Sequence, residues 1–362
     1  MIVGSIFENH NLEQRISITP DVIKKYKGLG ISINLPKNYG VHLGIKDDEY
    51  IKEGAEILAK SEDVISKSDL ILQLNILDDE NLNLLRENQT LIGVLNPYLN
   101  EKKLKSLYSK KINLFSLELL PRITRAQSMD ILSSQANLAG YKAVIDSFAY
   151  FKKAIPMMMT AAGTISAAKV LVVGAGVAGL QAIATAKRMG AIVFATDVRI
   201  ASKEQVESLG GKFLTVEGSD NLETKGGYAK ETSDEFKKKQ ENLLRETLKK
   251  IDIVICTALI PGKKAPIIIK KDMIEVMQSG SIIYDLAALQ GGNTDLTKVD
   301  EIVDVNGVKI LGEKNILNKL ALSASGLYSK NIYNFVANLY DKEKKQININ
   351  LEDEIITKTQ IK

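Results

Sequence analysis

The stretch that decides the fold is Val172-Val173-Gly174-Ala175-Gly176-Val177-Ala178-Gly179, a Gly-x-Gly-x-x-Gly pattern between an apolar run and a helical one. In such a turn the first glycine permits the tight bend, and the second lets the backbone approach a pyrophosphate. The third lets the following helix pack closely on the strand. We therefore predict a strand over residues 169–173, a helix over residues 179–189 and a phosphate site at the N-terminus of that helix. The predicted cofactor-binding residues of this turn are Gly174, Gly176, Val177, Ala178 and Gly179.

Asp197 follows the next predicted strand, residues 191–196, which begins after Gly190 has ended the helix. A carboxylate in this position accepts hydrogen bonds from the adenosine ribose hydroxyls and repels the 2′-phosphate that distinguishes NADP from NAD. We therefore predict an NAD(H) site that includes Asp197, Val198 and Arg199. Two alternatives stay open: Arg199 could accommodate a 2′-phosphate, and the turn could be a vestige that binds no ligand.

Short β-rich runs alternate with helical runs along most of the chain, and this alternation predicts parallel sheets covered by helices. In the N-terminal third, strands are predicted over residues 1–7, 31–35, 70–74, 90–95 and 112–115, and helices over residues 48–60 and 101–110. From residue 169 the alternation starts afresh, with further strands over residues 251–257, 281–284 and 308–311.

The predicted fold class is therefore α/β, with two Rossmann-like parallel-sheet domains, a long helix over residues 128–150 that joins them, and a cleft between them. The first domain comprises residues 1–138 and 318–362, because the helix over residues 327–339 is expected to return to it. The NAD(H)-binding domain comprises residues 139–317. In it, Ala258 and Leu259 follow one strand and Asp285 and Leu286 follow another, at the carboxyl edge where open α/β sheets bind ligands.

The bulk composition agrees with two domains and excludes several classes of protein. A chain of 362 residues exceeds what one core usually supports, and a net charge of +4 is too small to indicate a nucleic-acid partner. The single cysteine, Cys256, lies in an apolar run and is expected in the core. No Cys/His cluster indicates a metal site. The two histidines, His10 and His42, lie in polar stretches and are expected at the surface. The N-terminus lacks the features of a signal peptide, and no membrane-spanning segment is expected.

Four longer segments carry a resemblance to a known family. They are residues 121–130 (PRITRAQSMD), 156–163 (PMMMTAAG), 179–186 (GLQAIATA), and 196–199 with 203–211 (TDVR and KEQVESLGG). The chain resembles the NAD(H)-binding domain I of the proton-translocating NAD(P) transhydrogenases, from its N-terminus to about residue 353. The resemblance implies that NADH bound here passes a hydride directly to NADP⁺, and that the NADP(H) is held by a partner domain. It further implies a homodimer, a membrane proton-channel domain on a separate chain, and a cytoplasmic location peripheral to the inner membrane.

The resemblance also implies roles for particular residues. Gln127 would hydrogen-bond near the place where the two nicotinamides meet, and Arg122 would contact the nicotinamide side. Asp130 and Ser133 would form the supporting network of this catalytic set. The polar segment 218–233 looks like a mobile loop that closes over the nucleotide, with Gly227 and Tyr228 as its cofactor-binding residues.

Alanine dehydrogenase is the nearest alternative, because residues 13–20 resemble its N-terminus and Arg15 is of the type that binds its substrate carboxylate. That enzyme needs a lysine and a histidine for proton transfer, and their positions appear here as Gln73 and Asn96. Neither side chain is a proton shuttle near neutral pH. A carboxylate which that family carries before Gln-Gly-Gly is here Leu289. A non-catalytic NAD-binding regulatory module is the second alternative, although such a module has no physical need for Arg122 and Gln127.

Overall fold

The computed structural model describes residues 1–215, 234–260 and 263–362, and the chain forms two compact units. One unit consists of Met1–Gln135 with Leu317–Lys362, and the other of Ala136–Ile316. Within the described ranges, no helix has both the length and the apolar character needed to cross a bilayer.

The N-terminal third of the chain alternates short strands and helices. In chain order the elements are β1 (Ile2–Gly4), α1 (Pro20–Gly28), β2 (Ser32–Pro36), α2 (Asp47–Glu53), β3 (Ala55–Leu58), α3 (Ser61–Lys67), β4 (Leu70–Asn75), α4 (Asp79–Asn83), β5 (Thr90–Val94), α5 (Glu101–Ser109) and β6 (Asn113–Ser116). A 3₁₀ segment at Thr124–Met129 follows, and then the long helix α6 (Ile131–Tyr150).

The rest of the chain repeats this alternation and then returns to the first unit. The second unit contains β7 (Met158–Thr160), β8 (Gly163–Ile165), β9 (Lys169–Val173), α7 (Val177–Arg188), β10 (Ile192–Thr196), α8 (Ser202–Ser208), β11 (Lys212–Phe213), α9 (Asp234–Leu248), β12 (Ile253–Cys256), α10 (Lys271–Ile274), β13 (Ile282–Asp285), β14 (Ile302–Val305) and β15 (Val308–Leu311). The C-terminal elements are α11 (Ala321–Leu339), β16 (Tyr340–Asp341), β17 (Gln346–Ile347), α12 (Glu354–Thr359) and β18 (Gln360–Ile361).

The sheet of the first unit has the strand order β18-β6-β5-β4-β1-β2-β3. Its strands run parallel except β18, which pairs antiparallel with β6. The central strands are buried on both faces, as expected for a parallel sheet that helices cover on both sides. Helix α11 contributes to this core: the Phe335 ring meets the Phe115 ring edge-on at 5.7 Å, and the Tyr328 hydroxyl donates to the Gln73 carbonyl at 2.7 Å.

The sheet of the second unit has the strand order β11-β10-β9-β12-β13-β15-β14. All neighbours pair in parallel except β14 with β15. The order reverses at β9, which has β10 on one side and β12 on the other. The carboxyl ends of β9, β10, β12 and β13 therefore share one edge, where a doubly wound sheet binds its ligand. The predicted fold class of two Rossmann-like α/β units is confirmed.

One predicted element is wrong in its second half. The helix expected over residues 48–60 ends at Glu53, and the remainder contains β3, which pairs in parallel with β2. Gly54 takes the left-handed conformation, φ +108°, and so stops the helix. Ala55 and Leu58 are then buried at the edge of the sheet, and this tertiary pairing outweighs the helical composition of the segment.

Two other expectations differ in detail. The long helix begins at Ile131 instead of residue 128, because the Asp130 carboxylate accepts a hydrogen bond from Ser133 N at 2.9 Å, as an N-cap does. The expectation that both histidines are surface residues is met only in part. His10 and His42 are half-buried, their ring centroids are 3.8 Å apart, and His42 Nε2 lies 2.8 Å from the Gln14 carbonyl. Cys256 is buried as predicted, and burial raises the pKa of its thiol.

Candidate functional site

The glycine turn joins β9 to α7 in the second unit. Gly174 has φ +94°, a conformation that an L side chain rarely adopts. A Cβ added to Gly179 would lie 1.9 Å from the Gly174 carbonyl oxygen, so only glycine permits this contact between helix and turn. A Cβ on Gly176 would meet no described atom within 4 Å, and Gly176 is exposed. The turn is thus tight at two glycines and open at the third.

Helix α7 begins immediately after the open glycine. Gly176 is its N-cap residue, and no side chain of the described residues caps it. The first turn carries no acidic residue, so no side chain of the helix itself neutralises the positive end of its dipole. This arrangement can hold an anion such as a pyrophosphate. Helix α6 supports it closely, because a Cβ on Gly140 would lie 2.0 Å from the Ala178 carbonyl oxygen.

Asp197 lies directly beside the turn, at the carboxyl end of β10. Its Oδ2 accepts hydrogen bonds from Ala175 N at 2.7 Å and from Arg199 Nη2 at 3.0 Å. Its Oδ1 accepts from Arg199 N and Arg199 Nε, each at 2.9 Å. Only 7% of the Asp197 side chain is exposed. The structure therefore brings the predicted carboxylate and the predicted glycine turn together, with Val198 half-buried between the ion-paired residues.

Hydrogen bonds join the loops that follow β12 and β13, at the carboxyl edge of the second sheet. Asn293 is fully buried; its Oδ1 accepts from Ala258 N at 3.0 Å, and its Nδ2 donates to the carbonyls of Ala258 and Pro266 at 2.8 and 2.9 Å. Asp285 in turn accepts from Asn293 N at 2.7 Å and from Thr297 Oγ1 at 2.6 Å. Burial raises the pKa of the Asp285 carboxyl, although these hydrogen bonds lower it in part.

Two residues of this edge were not predicted individually. Thr257 Oγ1 donates to the Gly174 carbonyl at 2.9 Å and so connects the loop after β12 to the glycine turn. Asn293 holds both backbone polar atoms of Ala258. The signals in the sequence that could have indicated them are the hydroxyl of Thr257 at the end of a predicted strand and the amide of Asn293 directly after a Gly-Gly pair. Leu259 is exposed and Leu286 is half-buried, so apolar side chains border the site.

The second predicted set lies in the first unit: Arg122 just before the 3₁₀ segment Thr124–Met129, Gln127 within it, Asp130 after it and Ser133 in the first turn of α6. Asp130 and Ser133 hydrogen-bond to each other, with Ser133 Oγ donating to Asp130 Oδ2 at 2.6 Å. Helix α11 anchors the segment, because the side-chain amides of Asn331 and Asn334 donate to the Ser128 carbonyl at 2.8 and 3.0 Å. Arg122 and Gln127 are both exposed, so their side chains can be reached from solvent.

Two further predicted residues, Gly227 and Tyr228, lie outside the described residues. Among the residues that are described, no group of three or more His, Cys, Asp or Glu side chains could hold a metal ion.

The Arg15 side chain, also in the first unit, is engaged by its neighbours. Its guanidinium forms an ion pair with Glu13 at 2.6 Å and donates to Gln135 Oε1 at 2.8 Å. Gln73 is buried in β4, where its Oε1 accepts from Ser5 Oγ and from Ile6 N at 3.0 and 2.9 Å.

A doubly wound sheet with a glycine turn and an adjacent carboxylate defines a dinucleotide-binding class of α/β protein. The models for the N-terminal and C-terminal domains of alanine dehydrogenase/PNT match residues 4–139 and 143–361, and the chain belongs to this family. It is 48% identical to the first portion of NAD(P) transhydrogenase subunit alpha from Rhodospirillum rubrum, over 96% of this chain and 92% of that protein.

Solved structures show the same relationship. The transhydrogenase from Sinorhizobium meliloti superposes with a TM-score of 0.90 at 42% identity, over 99% of this chain and 98% of that one. An L-alanine dehydrogenase superposes with a TM-score of 0.82 at 18% identity, over 99% of this chain and 94% of that one, which shows a shared fold alone. The resemblance to the transhydrogenase α-subunit, predicted from four segments, is confirmed.

Proposed function

We propose that this chain is the NAD(H)-binding subunit of a proton-translocating transhydrogenase. NADH bound by the second unit gives its hydride directly to NADP⁺ on a partner domain, and a membrane proton-channel domain on a separate chain couples this transfer to proton movement. The observation that carries the proposal is the Asp197 carboxylate at 2.7 Å from Ala175 N, beside the glycine turn, in a chain 48% identical to a transhydrogenase subunit.

Different residues at the edge of the second sheet suit different parts of a dinucleotide. Pyrophosphate oxygens would accept from the N-terminus of α7, where Gly174, Gly176, Val177, Ala178 and Gly179 form the turn. The adenosine ribose would donate to Asp197, with Val198 and Arg199 beside it. Ala258, Leu259, Asp285 and Leu286 would border the nicotinamide end. Because the single N–H of Ala258 already donates to Asn293 Oδ1, Ala258 would contribute van der Waals contact and the remaining lone pair of its carbonyl oxygen.

Direct hydride transfer requires two rings held close in a fixed orientation and shielded from water, and it requires no acid–base pair. Arg122 and Gln127 are proposed to contact the nicotinamide and its carboxamide. Asp130 and Ser133 are proposed to position them, and their mutual hydrogen bond at 2.6 Å supports a fixed local geometry. Gly227 and Tyr228 are proposed to close over the nucleotide.

The proposal includes a homodimer located in the cytoplasm, peripheral to the inner membrane. The β7–β8 hairpin supports the dimer, since Met157, Met158 and Met159 are 63%, 46% and 79% exposed. Contiguous exposed apolar side chains of this kind usually mark a surface that another protein covers. A second copy of the chain is the proposed occupant.

The contacts in the first unit disfavour amino-acid oxidation. Gln73 and Asn96 cannot shuttle a proton near neutral pH, and Asn96 is exposed in a loop with φ +48°. The charge of the Arg15 guanidinium is already neutralised by Glu13, and Gln135 accepts another of its hydrogen bonds, so a substrate carboxylate would be held less strongly than by an unpaired arginine.

A fluorescence titration of the purified chain with NADH and with NADPH tests the proposal, with L-alanine plus NAD⁺ assayed in parallel. We expect NADH to bind, NADPH to bind far more weakly, and alanine not to be oxidised. Oxidation of alanine, or a preference for NADPH, would contradict the roles proposed for Gln73, Asn96 and Asp197.

A further inference from the structure

The Asp197 carboxylate is saturated with hydrogen-bond donors. A carboxylate offers about four lone-pair sites. At Asp197 the donors Ala175 N, Arg199 N, Arg199 Nε and Arg199 Nη2 lie at 2.7, 2.9, 2.9 and 3.0 Å. The ribose hydroxyls of an incoming dinucleotide can therefore hydrogen-bond to Asp197 only if they replace donors that the carboxylate already has.

The four donors differ in how easily they move. Ala175 N belongs to the glycine turn, and Arg199 N belongs to the main chain that follows β10, so both are fixed by the fold. The Nε and Nη2 donors sit at the end of a long side chain of which 22% is exposed. A rotation of the Arg199 side chain frees one acceptor site on each carboxylate oxygen. The adenosine ribose carries two vicinal hydroxyls, which match those two sites in number.

We propose that Arg199 is a specificity-determining residue that competes with the adenosine ribose for Asp197. NADH replaces the two guanidinium hydrogen bonds with two ribose hydroxyl bonds, and the displaced guanidinium is left beside the 2′ and 3′ positions. There it is a latent ligand for a 2′-phosphate, since arginine binds phosphate through two parallel hydrogen bonds. Asp197 keeps this ligand from acting, because its charge repels the phosphate. The inference rests on the proposed NAD(H) site.

Neutralising the Asp197 carboxylate should therefore have two effects: it removes the repulsion of the 2′-phosphate, and it allows Arg199 to bind that phosphate. In Asp197→Asn the amide oxygen of the new side chain still accepts from a backbone N–H, but the ion pair between this side chain and the guanidinium is gone. We expect NADPH and adenosine 2′,5′-bisphosphate to bind Asp197→Asn about 10- to 100-fold more tightly than they bind the parent chain, the range of one charge-assisted hydrogen bond.

The double variant Asp197→Asn/Arg199→Met separates the two effects. Relief of repulsion is present in both variants, so the difference between them reports Arg199 alone. We expect the double variant to bind NADPH at least about tenfold more weakly than Asp197→Asn does. The two variants should bind 5′-AMP, which has no 2′-phosphate, with nearly the same affinity. Equal NADPH affinity of the single and double variants would overturn the proposal.

Arg199→Met alone gives an independent test in a chain that keeps Asp197. Removing the competitor should tighten NADH binding by about 3- to 10-fold and leave NADPH excluded. A tenfold weakening of NADH binding would show that Arg199 is a direct NADH ligand, and would overturn the proposal. If the parent chain binds no NADH, the proposed function falls together with this inference. If the parent chain binds NADH and the folded variants, checked by circular dichroism, miss these shifts, the inference falls alone.

Discussion

A single methyl group should separate the two roles of the glycine turn. A Cβ at residue 179 would lie 1.9 Å from a backbone oxygen, whereas a Cβ at residue 176 would meet no described atom within 4 Å. Gly179→Ala should therefore lower the free energy of unfolding by at least about 2 kcal/mol, as overpacking against backbone does. Gly176→Ala should change it by less than about 1 kcal/mol but weaken NADH binding at least about tenfold, because the methyl group occupies the space proposed for the pyrophosphate.

Chemical denaturation and NADH titration of both variants check this prediction. The two glycines are three positions apart in one turn, so each variant is the control for the other. Unchanged NADH affinity in a folded Gly176→Ala chain would show that the open side of the turn does not face the pyrophosphate.

Glu8 should make the first unit less stable as the pH rises. Its carboxylate accepts hydrogen bonds from Leu74 N at 2.8 Å and from the Asn75 amide at 3.1 Å, yet desolvation by burial raises its pKa from 4.5 to about 7. Below pH 4.5 the carboxyl is protonated in both states. Between pH 4.5 and 7 the unfolded chain releases the proton more readily than the folded chain does, so the free energy of unfolding falls, and above pH 7 the loss is complete.

Glu8→Gln removes this titration. The free energy of unfolding of the variant should fall less than that of the parent chain between pH 4.5 and 7, with a difference on the order of 1 kcal/mol or more over the window. Urea denaturation at a series of pH values measures it. Parallel pH profiles for the two chains would show that Glu8 titrates as an ordinary carboxyl.

The sequence predicted the positions of the cofactor-site residues better than their contacts. Asp197 could be placed beside the glycine turn, because a strand and a helix of ordinary length set the distance between them. Its pairing with Arg199 could not be predicted, since that depends on a side-chain rotamer. The hydrogen bonds of Asn293 could not be predicted for a related reason: they join two loops that are distant in sequence.

At the scale of elements, alternation of apolar strands and helices was sufficient to predict five strands of each sheet but not the edge strands β3, β18, β11 and β14. The failure at residues 48–60 has a local cause. A short edge strand with one buried residue at each end has no distinctive periodicity, and helical composition then dominates the pattern. Gly54 was the available signal, because a glycine inside a helical run often ends the helix.

Close packing of α6 on α7 gives a test at this scale. Both Gly140 and Gly326 lie inside long helices, α6 and α11. A Cβ on Gly140 would lie 2.0 Å from the Ala178 carbonyl oxygen, whereas a Cβ on Gly326 would meet nothing within 4 Å outside its own helix backbone in the described chain. Gly140→Ala should lower the free energy of unfolding by about 1–3 kcal/mol, and Gly326→Ala should raise it by up to about 1 kcal/mol.

Thermal unfolding of the two variants measures this contrast. Because the intrinsic helix propensity changes equally in both, a difference between them reports the contact at Ala178. Equal melting temperatures would show that α6 and α7 do not touch at this point.

At the scale of the whole molecule, the proposed dimer depends on the β7–β8 hairpin. Met159→Asp should shift the chain from dimer to monomer, because a charge would be buried at the contact with a second copy. Leu351→Asp is the matched control: Leu351 is 56% exposed but belongs to the first unit, whereas the hairpin belongs to the second. Sedimentation velocity distinguishes the two. A Met159→Asp chain that remains dimeric would exclude the hairpin as the dimer contact.

The partner chains could not be predicted from these residues by physical argument. They entered through the family resemblance, because a surface such as that of Arg122 and Gln127 becomes a hydride-transfer face only when another nicotinamide is brought to it. The central claim therefore concerns chemistry that needs two proteins.

Deuterium transfer tests that claim most directly. The chain would be loaded with NADH deuterated at the transferable position of C4 and mixed with the separate NADP⁺-loaded domain of a transhydrogenase, and the products analysed by mass spectrometry. We predict deuterium in the NADPH, without exchange into solvent, only when both proteins are present. An NADPH that carries no deuterium, or no NADPH at all although NADH binds, would contradict direct hydride transfer by this chain.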